Sequence, residues 1–324
     1  WAYAAGGVAV ASGAFVALGP AAPWIVDQLA DGQRVWRLGR ITVDGVSGGW
    51  LGNLRAESIS IEDEEGVWLE AHNVALDWRP QDILFGAVRI RAGHVESLTI
   101  LRQPRLLEKR PSSGAGIDVF LGDIRVDEID VQEAAFGQAA TFSAQLALEL
   151  EDKSINALAV DVRRTDSDAD RLIITYRPDE NYELNLDAMS APGGIFARAL
   201  GVAEQGVQAT ALGEGNAQTG SAQYQAHIGA TPVLEGQAQW TPENWSLAAR
   251  AQMDALPQLT TLVRRIGANA NVAASGDRVG AFTAHADTPF ITLDLSGELD
   301  EDHALVGPAR FVATTQRGSD IARE

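Results

Sequence analysis

Histidines, carboxylates and glycine-rich turns are the residues of this chain whose chemistry could amount to a site. The five histidines lie at His72, His94, His227, His285 and His303. A zinc site needs ligands that converge, as two histidines one helical turn apart do. No pair here has that spacing. Each reads as a strand or surface residue. Glu62-Asp63-Glu64-Glu65 looks at first like paired carboxylates for acid–base work. It runs straight into Gly66 between two alternating apolar stretches, so a solvated turn is expected. GVSGGW (45–50) is rich in glycine, but no P-loop lysine and no long helix follow it. No GxSxG elbow occurs. The chain has no cysteine, which removes thiolate nucleophiles, thiolate metal sites and disulfides together. Asn244-Trp245-Ser246 matches a glycosylation sequon, a frequent chance match. Nothing here would catalyse a reaction, and no cofactor or metal is expected.

The basic residues are the other candidates. Arg89 and Arg91 share a short stretch, and RQPRLLEKR (102–110) follows soon after. The plain reading is a solvated strand face and loop. The functional reading is contact with anionic lipid headgroups, worth about 1 kcal/mol per residue near such a surface.

The elements that would position these residues are almost all strands. In AVRIRAGHVESLTILR (87–102), Val88 and Ile90 alternate with Arg89 and Arg91, and a turn is expected at Ala92-Gly93. The same alternation runs through 40–46, 57–63, 67–78, 117–131, 142–151, 158–164, 172–177 and 181–188. Later strands are richer in Ala and Gln, as in SAQYQAHI and VLEGQAQW, before FITLDLSGEL and ARFVATT. Two stretches break the pattern: APGGIFARALG (191–201) and LPQLTTLVRRIG (256–267) read as short helices closed by glycine. Each follows an Asp-Ala pair and precedes an Ala-rich strand, at a spacing of roughly 66 residues, which marks an internal repeat. PSSGAG (111–116) reads as a flexible linker. So many strands in meander order, with so few helices, point to an elongated all-β structure and against a parallel α/β sheet.

Charge and length narrow the partners. The 324 residues carry a net charge of −19, and an acidic surface repels phosphate backbones, so nucleic acid is excluded as a partner. Aromatics make up 6%, and Ala and Gly supply much of the apolar 46%, so a thick aromatic core is not expected. The first 26 residues carry no charge. They are long enough to span a bilayer core of about 30 Å, with Trp24 placed as an interfacial anchor. A cleavable signal peptide and a buried core helix are the rival readings. The chain opens on Trp1 and is expected to be an excerpt of a longer protein, with its acidic bulk outside the cytoplasm.

The order of these features carries a resemblance. An uncharged N-terminal span is followed by ITVDGVSGGW, then by GVWLEAHNVALDWRPQDILFGAVRIRAGHVESLTILRQP, a linker, GIDVFLGDIRVDEIDV and LNLDAMSAPGGIFARALG. This arrangement resembles the N-terminal part of the TamB family, the translocation and assembly module subunits of Gram-negative bacteria, in their alphaproteobacterial form. The resemblance covers essentially the whole chain, through the order of several weak motifs. It implies an inner-membrane signal-anchor at 1–23, an N-terminal β unit at 24–110, the linker at 111–116 and a repeating β-groove segment from 117 to 324. It implies a mainly β fold of the β-taco type: an elongated curved sheet forming an apolar groove, with short interspersed helices. The bulk would lie in the periplasm and move phospholipids between the two membranes. The barrel partner TamA would be met through a C-terminal domain outside this sequence.

If the strands form one curved sheet, alternation sets a common side. That side holds Ile59, Ile61, Leu69, Leu76, Val88, Ile90, Leu98, Ile100, Leu146, Leu148, Val160, Leu172, Ile174, Leu184 and Leu186. An open apolar strip of this length exceeds what a soluble monomer usually exposes. The expected occupant is lipid. The same alternation would also build a β-sandwich whose two sheets bury each other. A third reading is a scaffold whose sheet edges pair with strands of client outer-membrane proteins.

Overall fold

The computed structural model describes residues 34–35, 38–49, 52–79, 81–82, 86–105, 118–151, 154–178, 182–216, 218–256, 259–300 and 305–315. The expected membrane span and the PSSGAG linker lie outside the described residues. Among those described, no helix is long and apolar enough to cross a membrane. The chain is mainly β and divides into two compact units. Unit 1 holds the residues up to Tyr176 together with Gly193–Ala199, and unit 2 holds Arg177–Pro192 together with everything from Leu200 onward.

Unit 1 is built from β1 (Arg34–Val35), β2 (Gly39–Asp44), β3 (Ser47–Gly49), β4 (Asn53–Asp63), β5 (Gly66–Trp78), β6 (Ala87–Ile100), β7 (Asp118–Val131), β8 (Ala140–Glu151), β9 (Ser154–Arg164) and β10 (Asp170–Arg177). Two short helices accompany them, α1 (Glu133–Phe136) and α2 (Ile195–Ala199). Both β2 and β3 lie along β4, and from β4 to β10 each strand pairs with the next. One pairing differs from a plain meander. Strands β6 and β7 are parallel, with Val88 opposite Val119 and Ile100 opposite Val131. A hairpin cannot make that junction, because the chain must first return to the strand's starting end. The connection that makes the return is 101–117, and the expected linker lies within it.

Two contacts hold the start of that return. Arg102 donates to both carboxylate oxygens of Asp63, at 2.9 Å from Nη1 to Oδ2, and to the carbonyl of Gly66 at 2.6 Å. The backbone N–H of Arg105 adds a bond to Asp63 Oδ2 at 2.6 Å. Burial alone would raise the Asp63 pKa. The hydrogen bonds from Arg102, Arg105 and Glu65 outweigh it and hold the carboxyl at about 2. Only Glu64 and Glu65 of the acidic run form the expected turn; Glu62 and Asp63 end β4, and Asp63, its side chain buried and not solvated, is the anchor of the crossover.

Ala92-Gly93 is not a turn. It lies inside the single strand β6, where Gly93 stands opposite Leu76 on one side and Ile124 on the other. A Cβ there would meet Ile124 Cδ1 at 2.8 Å and Leu76 Cδ2 at 3.2 Å, so the glycine makes room for its neighbours' side chains.

Unit 2 is an antiparallel ladder in sequence order. Its strands are β11 (Tyr182–Ser190), β12 (Val207–Gly215), β13 (Gly220–Ile228), β14 (Thr231–Trp240), β15 (Asn244–Gln252), β16 (Asn269–Asp277), β17 (Gly280–Asp287), β18 (Ile291–Leu299) and β19 (Arg310–Thr315). Helix α3 (Thr260–Ile266) joins β15 to β16. The two expected helices are thus α2 and α3, and each is followed by a glycine with positive φ, Gly201 at 69° and Gly267 at 99°.

Candidate functional site

Strand alternation gives each unit one apolar face, and the registers show how these faces are tiled. In unit 1 one cross-strand row runs Leu54, Leu76, Gly93, Ile124, Leu146, Val160, Ile174. Another runs Trp78, Ile90, Leu121, Leu148, Leu158. The expected groove residues of this unit share that face. Ile59, Ile61, Leu69, Leu76, Val88, Ile90, Leu98, Ile100 and Val160 are buried in one apolar cluster, and Leu146, Leu148, Leu172 and Ile174 pack against it half-buried. Ile90 keeps 1% of its surface exposed, and Leu69 and Leu98 none. The face is closed to water at its centre.

In unit 2 the tiling is different, and the two remaining groove residues, Leu184 and Leu186, begin its rows. The row Leu186, Ala211, Tyr224, Gly236, Ala249, Val272, Ala286, Leu293, Ala313 crosses all nine strands without a charge. The next row begins at Leu184 and continues through Gly213, Ala222, Ala238, Leu247, Ala274, Ala284 and Leu295 to Phe311. The opposite face carries Asp187, Thr210, Gln225, Glu235, Arg250, Asn271, Asp287, Thr292 and Thr314 in one row. Most side chains of the apolar rows are half-buried.

Aromatic rings on this face lean over glycines of neighbouring strands. A Cβ on Gly236 would overlap the Tyr224 ring, and one on Gly220 would overlap the Trp240 ring. Gly213 lies under Tyr182 in the same way, at 2.7 Å. Tyr182 and Trp240 also meet edge to face at 4.9 Å between centroids. Glycines filled over by neighbouring rings, set among alanines, make this a face of small residues, a floor rather than a core of branched side chains.

The charged residues are occupied elsewhere. Arg91 pairs with Asp77 at 2.6 Å, Arg89 with Asp82 at 3.3 Å while its guanidinium lies 4.3 Å over the Phe120 ring, and Arg105 with Glu65 at 2.8 Å. With carboxylates already at hand, these arginines bring little net positive charge to a headgroup. His94 bonds Asp127 and His285 bonds Asp294, each at 2.7 Å on an exposed polar face. Among the described residues no group of three His, Cys, Asp or Glu could hold a metal ion. A depression of about 750 Å³ opens on the polar side of unit 2, lined by residues such as Gln223, Gln225, Glu235 and Arg250, with no nucleophile–base pair.

Sequence reasoning missed one polar cluster, which lies at one end of the unit 1 face. Arg164 closes β9 and bonds Asp166 at 2.6 Å and Asp170 at 3.2 Å. Asp170 is buried, and its carboxylate also accepts the backbone N–H groups of Ile195 (3.0 Å) and Phe196 (3.2 Å). Hydrogen bonds to Arg164 hold the Asp166 carboxyl below its ordinary range. The carboxylate that caps α2 stands 25 residues before it, beyond any local capping signal.

Comparison with family models, with curated proteins and with solved structures finds no match for this chain.

Proposed function

We propose that this protein is non-enzymatic and carries phospholipid acyl chains along an apolar β-sheet groove of the β-taco type, contributing to outer-membrane biogenesis. The observation that carries the reading is the unit 2 face. Its uncharged cross-strand rows run over all nine strands, rich in alanine and glycine, with rings leaning over the glycines, opposite the face that holds the charges. Each methylene removed from water is worth about 0.8 kcal/mol, so a chain of about fourteen gives up on the order of 11 kcal/mol on entering water. A continuous apolar floor removes most of that barrier, and its smoothness sets no fixed stopping point. The resemblance to the TamB family agrees with this reading. It adds anchorage in the inner membrane through residues 1–23, a bulk in the periplasm and a TamA partner met through a domain outside this sequence.

The test is extraction of co-purifying lipid from the full chain, with mass spectrometry as the readout. Leu247→Asp, on the apolar row, should empty the protein of phospholipid. Ala248→Asp, one residue along on the opposite face, should leave the lipid content unchanged. Equal lipid in both variants would overturn the proposal.

A second reading is a scaffold that adds client strands to a sheet edge. That reading predicts that Leu247→Asp leaves function intact, because client strands would bind through backbone edges and not through the apolar face.

A further inference from the structure

The three helices among the described residues occupy one place in a repeated unit. Each joins the first to the second of four strands: α1 between β7 and β8, α2 between β11 and β12, α3 between β15 and β16. The sequence showed two copies of this unit, and the structure adds a third that begins at β7. The copies treat their helices differently. Helix α1 buries Ala135, and α2 buries Ile195 and Ala197, whereas α3 buries none of its residues.

Helix α2 is the distinctive one. Gly193–Ala199 belongs to unit 1, while the strands on either side of it, β11 and β12, belong to unit 2. Glycines with positive φ flank it, Gly193 at 85° and Gly201 at 69°. Phe196 stacks on Phe142 at 6.0 Å, and Ile195 completes the apolar cluster. Its first N–H groups are bonded by Asp170, whose charge is balanced by Arg164. Phe142, Arg164 and Asp170 all lie at the same end of β8, β9 and β10.

We infer that α2 is a latch: a short helix on glycine hinges, held by Asp170, that closes one end of the unit 1 apolar face and opens as a unit to admit acyl chains. The inference rests on the groove reading for its ligand and on geometry for its motion. A helix of one turn holds its place through tertiary contacts and caps. Local segments can open well below the free energy of global unfolding.

Thiol labelling separates the two parts. The chain has no cysteine, so Ala197→Cys places a single reporter at a fully buried position of α2. Ala71→Cys in β5 is the control, also fully buried but on a strand between β4 and β6 that takes no part in the Asp170 cluster. Labelling at position 197 should be slow, and about tenfold faster when Asp170→Ala is added, while labelling at position 71 stays unchanged. Both reporters are read well below the urea midpoint, which Asp170→Ala lowers because the buried Arg164 loses a partner. If Asp170→Ala leaves labelling at 197 unchanged, or speeds both reporters together, α2 is a fixed part of the core and the latch is overturned. Vesicles of mixed zwitterionic and anionic phospholipid should then speed labelling at 197 but not at 71. Unchanged labelling with vesicles, beside an intact Asp170 effect, would overturn admission of acyl chains while leaving a latch in place. Failure of the groove reading shows separately, as loss of the lipid difference between Leu247→Asp and Ala248→Asp.

Discussion

Units 1 and 2 share one covalent pattern, strands with one apolar and one polar face, and use it differently. Unit 1 tiles its apolar face with Leu, Ile and Val, buries Trp68 and Trp78 in the same cluster, and closes it to water. Unit 2 tiles the same kind of face with alanine, glycine and rings laid over glycine, and leaves it half-open. Branched aliphatics interdigitate and fill space, as cores do. Small residues do not, so an apolar face made from them stays available. The difference teaches that alternation decides which side is apolar, while side-chain volume decides whether that side becomes a core or a surface.

The largest expected effect comes from placing a charge on each face. Ile90→Asp should cost more than about 4 kcal/mol and unfold unit 1, because a carboxylate there has no partner and no water. Leu247→Asp in unit 2 should cost less than about 2 kcal/mol, since that side chain keeps contact with solvent. Urea unfolding of the two variants checks this, and equal costs would erase the contrast.

Next in size is the crossover anchor of unit 1. Asp63→Asn removes the charge that Arg102 and the Arg105 N–H are bonded to, and should cost about 1.5–3 kcal/mol. Its pH dependence has a definite sign. The folded pKa of about 2 lies below the ordinary carboxylate value, so the stabilisation is present above roughly pH 4 and is lost as pH falls towards 2. Urea midpoints of wild type and variant should therefore converge between about pH 4 and pH 2.

The glycine floor of unit 2 gives a comparable effect. Gly236→Ala drives a Cβ into Tyr224 and towards the Ala248 carbonyl at 2.6 Å, and should cost about 1–3 kcal/mol. Tyr224→Ala in the same background should recover part of the loss, which a double-mutant cycle reads. The smallest effect belongs to the polar face. Glu235 and Arg250 pair at 3.5 Å while well exposed, and Arg250→Gln should change stability by less than about 0.5 kcal/mol.

Much of the strand pattern was legible in the sequence. Alternation located β4 to β11 and, more weakly, the later strands, because a half-buried strand must repeat every two residues. It also assigned Val88, Ile90, Leu98 and Ile100 to one face. The two helices were legible from their glycines. What escaped depends on contacts far apart in the chain. The parallel β6–β7 pairing leaves no local mark except the long connection that permits it. Gly93 reads as a turn because glycine usually breaks a strand, and only Leu76 and Ile124 across the register explain it. The Asp170 cap on α2 spans 25 residues and resembles no capping motif. The later strands were legible as richer in Ala and Gln, but the contrast between the two faces, with rings leaning over glycines in unit 2, needed the register.

Photo-crosslinking tests the central claim most directly. A photoreactive residue would replace Leu247 on the unit 2 floor, with Ala248 on the opposite face as control and Ile90 as the closed comparison. Phospholipid adducts at 247, none at 248 and few at 90 are the predicted result. Adducts at 247 that join it only to the protein itself would mean that the unit 2 face is another closed core, and would contradict the account.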